Sequence, residues 1–145
     1  DFNAVIEHGW RVGMVDESGQ SSHALIDILF NLNPNIYTGQ IQIAGKTIKS
    51  VALSDLRSRL SIIPQNPFFF NGTVRFNMDP LSEKSDETLS RMLTNIGLND
   101  INLDTQIVNN GKNLSVGQRQ LICLAVACLK KNRVVIVHES RDTDQ

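Results

Sequence analysis

Two short segments carry the residue types needed to handle a phosphorylated ligand. The first is Asp16-Glu17-Ser18-Gly19-Gln20-Ser21-Ser22-His23. It follows the apolar run Arg11 to Val15 and opens the run Gln20 to Leu32, where Leu25, Ile26, Ile28, Leu29 and Leu32 have helical spacing. A strand, loop and helix in that order aim backbone N–H groups and the positive end of a helix dipole at an anion. A complete phosphate loop needs more: glycines for close backbone approach, a Lys for the β and γ charges, and a hydroxyl for Mg²⁺. Set without gaps on Gly-x-x-Gly-x-Gly-Lys-Ser, the first Gly is Asp16, the second is kept as Gly19, and the third is Ser21. The Lys is Ser22 and the hydroxyl is His23. Gly to Asp and Lys to Ser make the loop more negative by two charges, and one unit charge about 4 Å from another is worth roughly 4 kcal/mol near a protein surface. Weak anion binding at Ser18, Gly19, Gln20, Ser21, Ser22 and His23 is expected, with triphosphate binding impaired.

The second segment is Val134 to Val137 followed by His138-Glu139. Hydrolysis of a phosphoanhydride needs an Asp at such a strand end to hold the water shell of Mg²⁺, then a carboxylate to orient the attacking water. His138 takes the first place and Glu139 the second. A neutral imidazole lacks the charge and oxygen that a hard cation prefers. Glu139 is the candidate base, with a solvated strand-end residue as the alternative reading. A zinc-protease helix is excluded because position 142 is Asp142 and not His. Ala44-Gly45-Lys46-Thr47 imitates the end of a phosphate loop, but Gln40 stands where its first Gly belongs, so the segment reads as a hairpin turn.

The elements around these segments alternate. Ile41 and Ile43 read as a half-buried strand, and Leu60 to Ile63 as another, stopped by Pro64. Asp86 to Ile96 reads as a surface helix capped by Ser85 and ended by Gly97. Ser115 caps a helix to about Lys130, and Val134 to Val137 reads as a strand covered on both faces. Asn31 to Tyr37 and Pro80 to Ser85 read as loops. Strands interleaved with helices predict an α/β fold with a largely parallel sheet, whose ligands gather at the carboxyl ends of the strands.

With 145 residues, 41% of them hydrophobic, one domain with a core of its own is expected. The net charge of -1, with Lys and Arg scattered, gives no basic stripe for nucleic acid. Cys123 and Cys128 lie in an apolar helical stretch and read as core residues of a reducing compartment. No apolar run reaches the roughly 18 residues that span a bilayer, and no basic segment precedes an apolar one at the start, so neither a span nor a signal peptide is expected. The triplets Asn71-Gly72-Thr73 and Asn113-Leu114-Ser115 read as a turn and a helix start ahead of glycosylation sites.

A resemblance ties these pieces together. Leu114-Ser115-Val116-Gly117-Gln118-Arg119-Gln120, the amphipathic run Leu121 to Leu129 and the apolar strand before Glu139 resemble the signature helix and catalytic strand of ABC transporter ATPases. Leu56-Arg57-Ser58-Arg59-Leu60-Ser61-Ile62-Ile63-Pro64-Gln65-Asn66-Pro67 resembles the Q-loop of their C subfamily, the multidrug-resistance-associated type. Gly72-Thr73-Val74-Arg75-Phe76-Asn77-Met78-Asp79-Pro80 resembles the stretch just beyond that loop, and Val116 in place of the commoner Gly suits the same subfamily. Nearly the whole chain is thus similar to a nucleotide-binding domain, most closely the second one of that subfamily.

The resemblance implies a P-loop NTPase-like core with a mostly parallel sheet, a small antiparallel β part and a helical signature subdomain at about 72–125, in one domain 1–145 that is incomplete at both ends. An adenine-stacking aromatic would precede Asp1 and a switch histidine would follow Gln145. ATP and Mg²⁺ are the implied cofactors. Gln65 would touch the metal and relay state to transmembrane domains, while Ser115, Gly117 and Gln118 would hold the γ-phosphate of ATP bound by a second nucleotide-binding domain. A Ser hydroxyl and a bare Gly N–H at a helix start suit that task. The implied place is the cytoplasmic face of a membrane. Because the changed loop and His138 serve this chain's own site, whereas the signature serves the partner's, impaired own-site catalysis is expected. Three readings stay open: a transport engine, a non-catalytic pseudo-cassette that pairs with or regulates another domain, and a remnant without ligand.

Overall fold

The computed structural model describes residues 3–15, 20–33, 35 and 37–138. The chain forms two compact units, Asp1–Ser50 and Val51–Gln145.

In the N-terminal unit, helix α1 (Gln20–Leu29) forms where the helical spacing predicts one. Strands β1 (Gln42–Ile43) and β2 (Lys46–Thr47) pair antiparallel, with Gln42 opposite Thr47 and Ile43 opposite Lys46. Ala44 and Gly45 turn the chain at φ values of 50° and 75°. Two positive φ values in a two-residue loop give the twist that a tight hairpin requires. Ala44-Gly45-Lys46-Thr47 is therefore a hairpin, as expected, and not a phosphate loop. The strand predicted at Arg11 to Val15 does not form: residues 11–15 lack regular structure, and Val12, Met14 and Val15 are exposed. A strand is held by a hydrogen-bonded neighbour and a covered apolar face, and this stretch has no strand partner among the described residues.

The C-terminal unit carries the large apolar core. Helix α2 (Leu53–Ser58) leads into β3 (Leu60–Ile63), which pairs in parallel with β6 (Val134–Val137) from Leu60 opposite Val134 to Ile63 opposite Val137. Leu60, Ser61 and Ile63 are buried, and Ser61 Oγ accepts a 3.0 Å bond from Asn132 Nδ2. The expectation of two covered faces fails for β6: Val135 is 48% and Val137 57% exposed. Among the described strands β6 has one neighbour, and only its Val134 and Ile136 face is half-buried.

Between these strands lies a mainly helical segment. Strands β4 (Gly72–Thr73) and β5 (Gln106–Ile107) pair antiparallel, and Thr73 Oγ1 caps α3 (Val74–Met78) by accepting from Phe76 N. Ser85 caps α4 (Asp86–Asn95) as predicted, with Asp86 and Glu87 in the first turn complementing the helix dipole. The helix stops as its Gly signal requires. Gly97 takes φ 84°, its N–H returns to Thr94 O, and Leu98 N–H returns to Leu93 O. These are the bonds of a left-handed glycine stop. Helix α5 (Val116–Lys130) lies along this segment and β3. Val74, Leu89, Ile107, Ile122 and Ala125 are fully enclosed in one cluster with Leu93, Leu98 and Leu103. Of the two cysteines expected in the core, Cys123 packs against that cluster, but Cys128 is exposed. Ala127 is buried outside that cluster, and Leu124 and Cys128 leave the remaining face of the helix exposed.

Because Leu89 is fully enclosed, Leu89→Ala should cost about 2–5 kcal/mol of unfolding free energy in urea titration. Leu81→Ala, at a residue 77% exposed, should leave the midpoint within about 0.5 kcal/mol of the parent. Equal effects from the two would contradict the assigned core.

Candidate functional site

The start of α5 is built by a short chain of mutual bonds. Leu114 is buried and its N–H reaches Gly111 O at 3.0 Å, which fixes the approach to the helix. Ser115 has extended backbone, and its Oγ accepts from Gln118 N–H at 3.1 Å. Gln118 Oε1 in return accepts Ser115 N–H at 2.8 Å, completing a capping box. Gln118 Nε2 donates to Asp100 Oδ2 at 2.8 Å, so both ends of its amide are used within the chain. The Ser115 hydroxyl keeps its own hydrogen to donate. Val116 and Gly117 N–H lie in the first turn, where a helix offers no internal acceptor.

All three residues are exposed. A Cβ on Gly117 would meet only Ser115 Oγ, at 4.0 Å, so the glycine is not needed for packing. One hydroxyl, two N–H groups and the positive helix end form a donor set that fits an anionic phosphate.

The segment after β3 is tied to the same helix. Gln120 Nε2 donates to Pro64 O at 3.2 Å and to Gln65 O at 2.8 Å, across 55 or more positions of sequence. The sequence pattern alone assigns Gln120 no role. The available signal is a second glutamine two positions after Gln118, which places it on another helix face. Farther along, Phe69 N–H donates to Asn110 Oδ1 at 2.6 Å and Asn109 N–H to Asn71 Oδ1 at 2.8 Å, a reciprocal clip between two loops. Asn113 accepts from Val108 N–H and donates to Gln106 O. Asn113-Leu114-Ser115 does lead into the start of α5 as expected, whereas Asn71-Gly72-Thr73 runs into strand β4 in place of the expected turn, and the Asn71 amide serves a contact 38 positions away. Phe68, Phe69, Phe70, Asn77, Cys123 and Val126 line a cavity of about 150 Å³ beside this segment. Burial pushes the Cys123 thiol up to about 11.

Ser18, Gly19 and Glu139 fall outside the described residues, as does the side chain of Gln20. The Gln20 backbone opens α1, where Ser21 and His23 are exposed and Ser22 is half-buried in the first turn. His138 is half-buried, and its N–H extends the β6 ladder to Ile63 O at 2.9 Å. Among the described residues no group of three or more His, Cys, Asp or Glu is placed to hold a metal. The imidazole of His138 supplies nitrogen where Mg²⁺ takes oxygen, so the described donors do not fit that ion at the β6 end.

The chain matches the family model described as ABC transporter over residues 1–141. It is 41% identical over 145 residues to ATP-binding cassette sub-family C member 4 of Mus musculus, covering 96% of this chain and 11% of that protein. It is 42% identical over 138 residues to ABC transporter C family member 6 of Arabidopsis thaliana, covering 91% of this chain and 9% of the relative. With ATP-binding cassette sub-family C member 3 of Homo sapiens the identity is 38% over 146 residues, 97% of this chain and 10% of that protein. The chain therefore spans about a tenth of the length of these relatives.

The two thiols should separate chemically. With the Cys123 thiol near 11, roughly one molecule in a thousand carries its thiolate at pH 8, the form that reacts. Iodoacetamide should modify exposed Cys128 first and reach Cys123 only in denaturant, as read by peptide mass. The raised value also means that stability is intact below about 9 and falls as pH climbs toward about 11. Equal labelling of both thiols in the folded chain would contradict the burial of Cys123.

Proposed function

This chain belongs to the ABC transporter family, and from that premise we propose that its signature turn completes the ATP site of an opposing nucleotide-binding domain while its own site is impaired in hydrolysis. The observation that carries this reading is the first turn of α5. There Ser115 is locked as a cap by Gln118, yet the cap leaves its hydroxyl hydrogen unused, and Ser115, Val116 and Gly117 are exposed residues. The Ser115 hydroxyl and the first-turn N–H groups support this reading, while the Gln118 amide is committed to Ser115 and Asp100.

The own-site half rests on residue types. Ser22 stands in place of the phosphate-loop Lys and His138 in place of the metal-binding Asp. Each change removes charge complementarity toward a magnesium triphosphate. The same two changes favour the non-catalytic version of the role, a pseudo-cassette that pairs with or regulates a complete domain. In either version residues at about 72–125 act as the helical signature subdomain. Gln65 faces transmembrane domains of a transporter, and the assembly works at the cytoplasmic face of a membrane. If own-site hydrolysis persists, Glu139 is its base.

The test mixes the chain with an intact C-subfamily cassette and follows ATP-dependent association by sedimentation. Ser115→Asp keeps an N-cap acceptor, so the fold should survive with a melting temperature within a few degrees. It sets a negative charge where the phosphate would bind. Association should weaken by at least roughly tenfold, less than the unscreened charge energy allows because Ser115 is exposed. Ser115→Asp pairing as tightly as the parent chain would refute the role.

A further inference from the structure

Gln120 is the only described side chain that joins the phosphate-facing helix to the backbone of the Q-loop segment. One NH₂ group spans two successive carbonyls, those of Pro64 and Gln65, and Pro64 follows directly on β3. The clamp sits one turn inside α5, past the capping box that holds Ser115, so helix and loop are gripped from adjacent turns of one rigid rod. Pro64 is itself one of the gripped pair, and Pro67 follows two positions after Gln65. Neither proline has an N–H to anchor the segment by ladder bonds, so among the described residues the carbonyl clamp is the hydrogen-bonded tie of Pro64 and Gln65 to α5. The side-chain amide of Gln65 takes no part, so the clamp constrains the loop without occupying its functional group.

We propose that Gln120 is a positioning residue that makes the Q-loop segment follow the signature turn, so that engagement of a phosphate at Ser115 is felt at Gln65. This rests on the signature turn receiving a nucleotide held by an opposing domain. If a ligand pulls on the first turn of α5, the helix moves as a body, and the two carbonyls move with the Gln120 amide. A donor on a stem long enough to reach both carbonyls is required. Glu at the same position would present lone pairs to lone pairs, and Ala would leave two half-buried carbonyls unpaired, each a cost that favours local opening.

Amide hydrogen exchange reads the coupling directly. The chain is measured alone and with an intact C-subfamily cassette plus Mg-ATP, on peptides covering 60–70 and 113–120. In the parent chain both peptides should gain protection together when partner and ATP are added. In Gln120→Ala, peptide 113–120 should still gain protection, while 60–70 exchanges roughly five- to tenfold faster than in the parent and no longer responds. Gln120→Lys restores a donor on a long stem and should recover the response in 60–70, which mere repair of packing would not do. A response in 60–70 that persists in Gln120→Ala overturns the proposal, as does Gln120→Lys behaving like Gln120→Ala. If peptide 113–120 of the parent chain gains no protection, the reading of the signature turn fails and the proposal falls with it, an outcome distinct from the other two.

Discussion

Helix α5 must bury one stripe completely and leave its first turn bare. Ile122 and Ala125 are fully enclosed in the main cluster, and Ala127 is buried apart from it. Burial of this stripe supplies the hydrophobic energy that keeps the rod in place. The first turn contributes none of it, because Ser115, Val116 and Gly117 are exposed. That turn is held instead by hydrogen bonds within reach of its own residues and by Asp100. An anion site can be kept open on a helix whose position is fixed elsewhere.

The Asp100 contact adds a second physical consequence. A carboxylate near the start of α5 complements the helix dipole and stabilises the turn when no ligand is present. It also adds negative charge close to where a phosphate would sit. Its bond to Gln118 Nε2 directs Oε1 of the same amide back to Ser115 N–H, so the charge fixes the orientation of the capping box. The turn is therefore formed before any ligand arrives, and binding need not order it.

Legibility followed the range of the interactions. Caps are local, and both Ser85 and Ser115 were visible from residue type and position. The glycine stop at Gly97 and the hairpin at Ala44-Gly45 were equally local. Val134 to Val137 was recognised as a strand, but the exposure of Val135 and Val137 was not, since cover depends on which elements reach that face. Arg11 to Val15 has strand-forming residues and no strand, because apolar alternation does not create a neighbour to pair with. Gln120 and the Asn71, Asn109 and Asn110 clip were missed for a related reason. They join positions 38 to 56 apart, and a polar side chain carries no sequence mark of a distant carbonyl. At the candidate site, Ser115 and Gly117 were legible through residue type, whereas the full commitment of Gln118 to Ser115 and Asp100 required the geometry.

In the proposed pairing, the phosphate received at Ser115 belongs to the opposing domain's ATP and not to one held by this chain's own loop. Equilibrium dialysis of Mg-ATP under non-hydrolysing conditions tests it most directly, comparing the chain alone, an intact C-subfamily cassette alone, and the equimolar mixture. Negligible binding by the chain alone is expected, with one ATP per pair in the mixture, held more tightly than by the intact cassette alone. Saturable binding of one ATP by the isolated chain, or no gain in affinity on mixing, would contradict it.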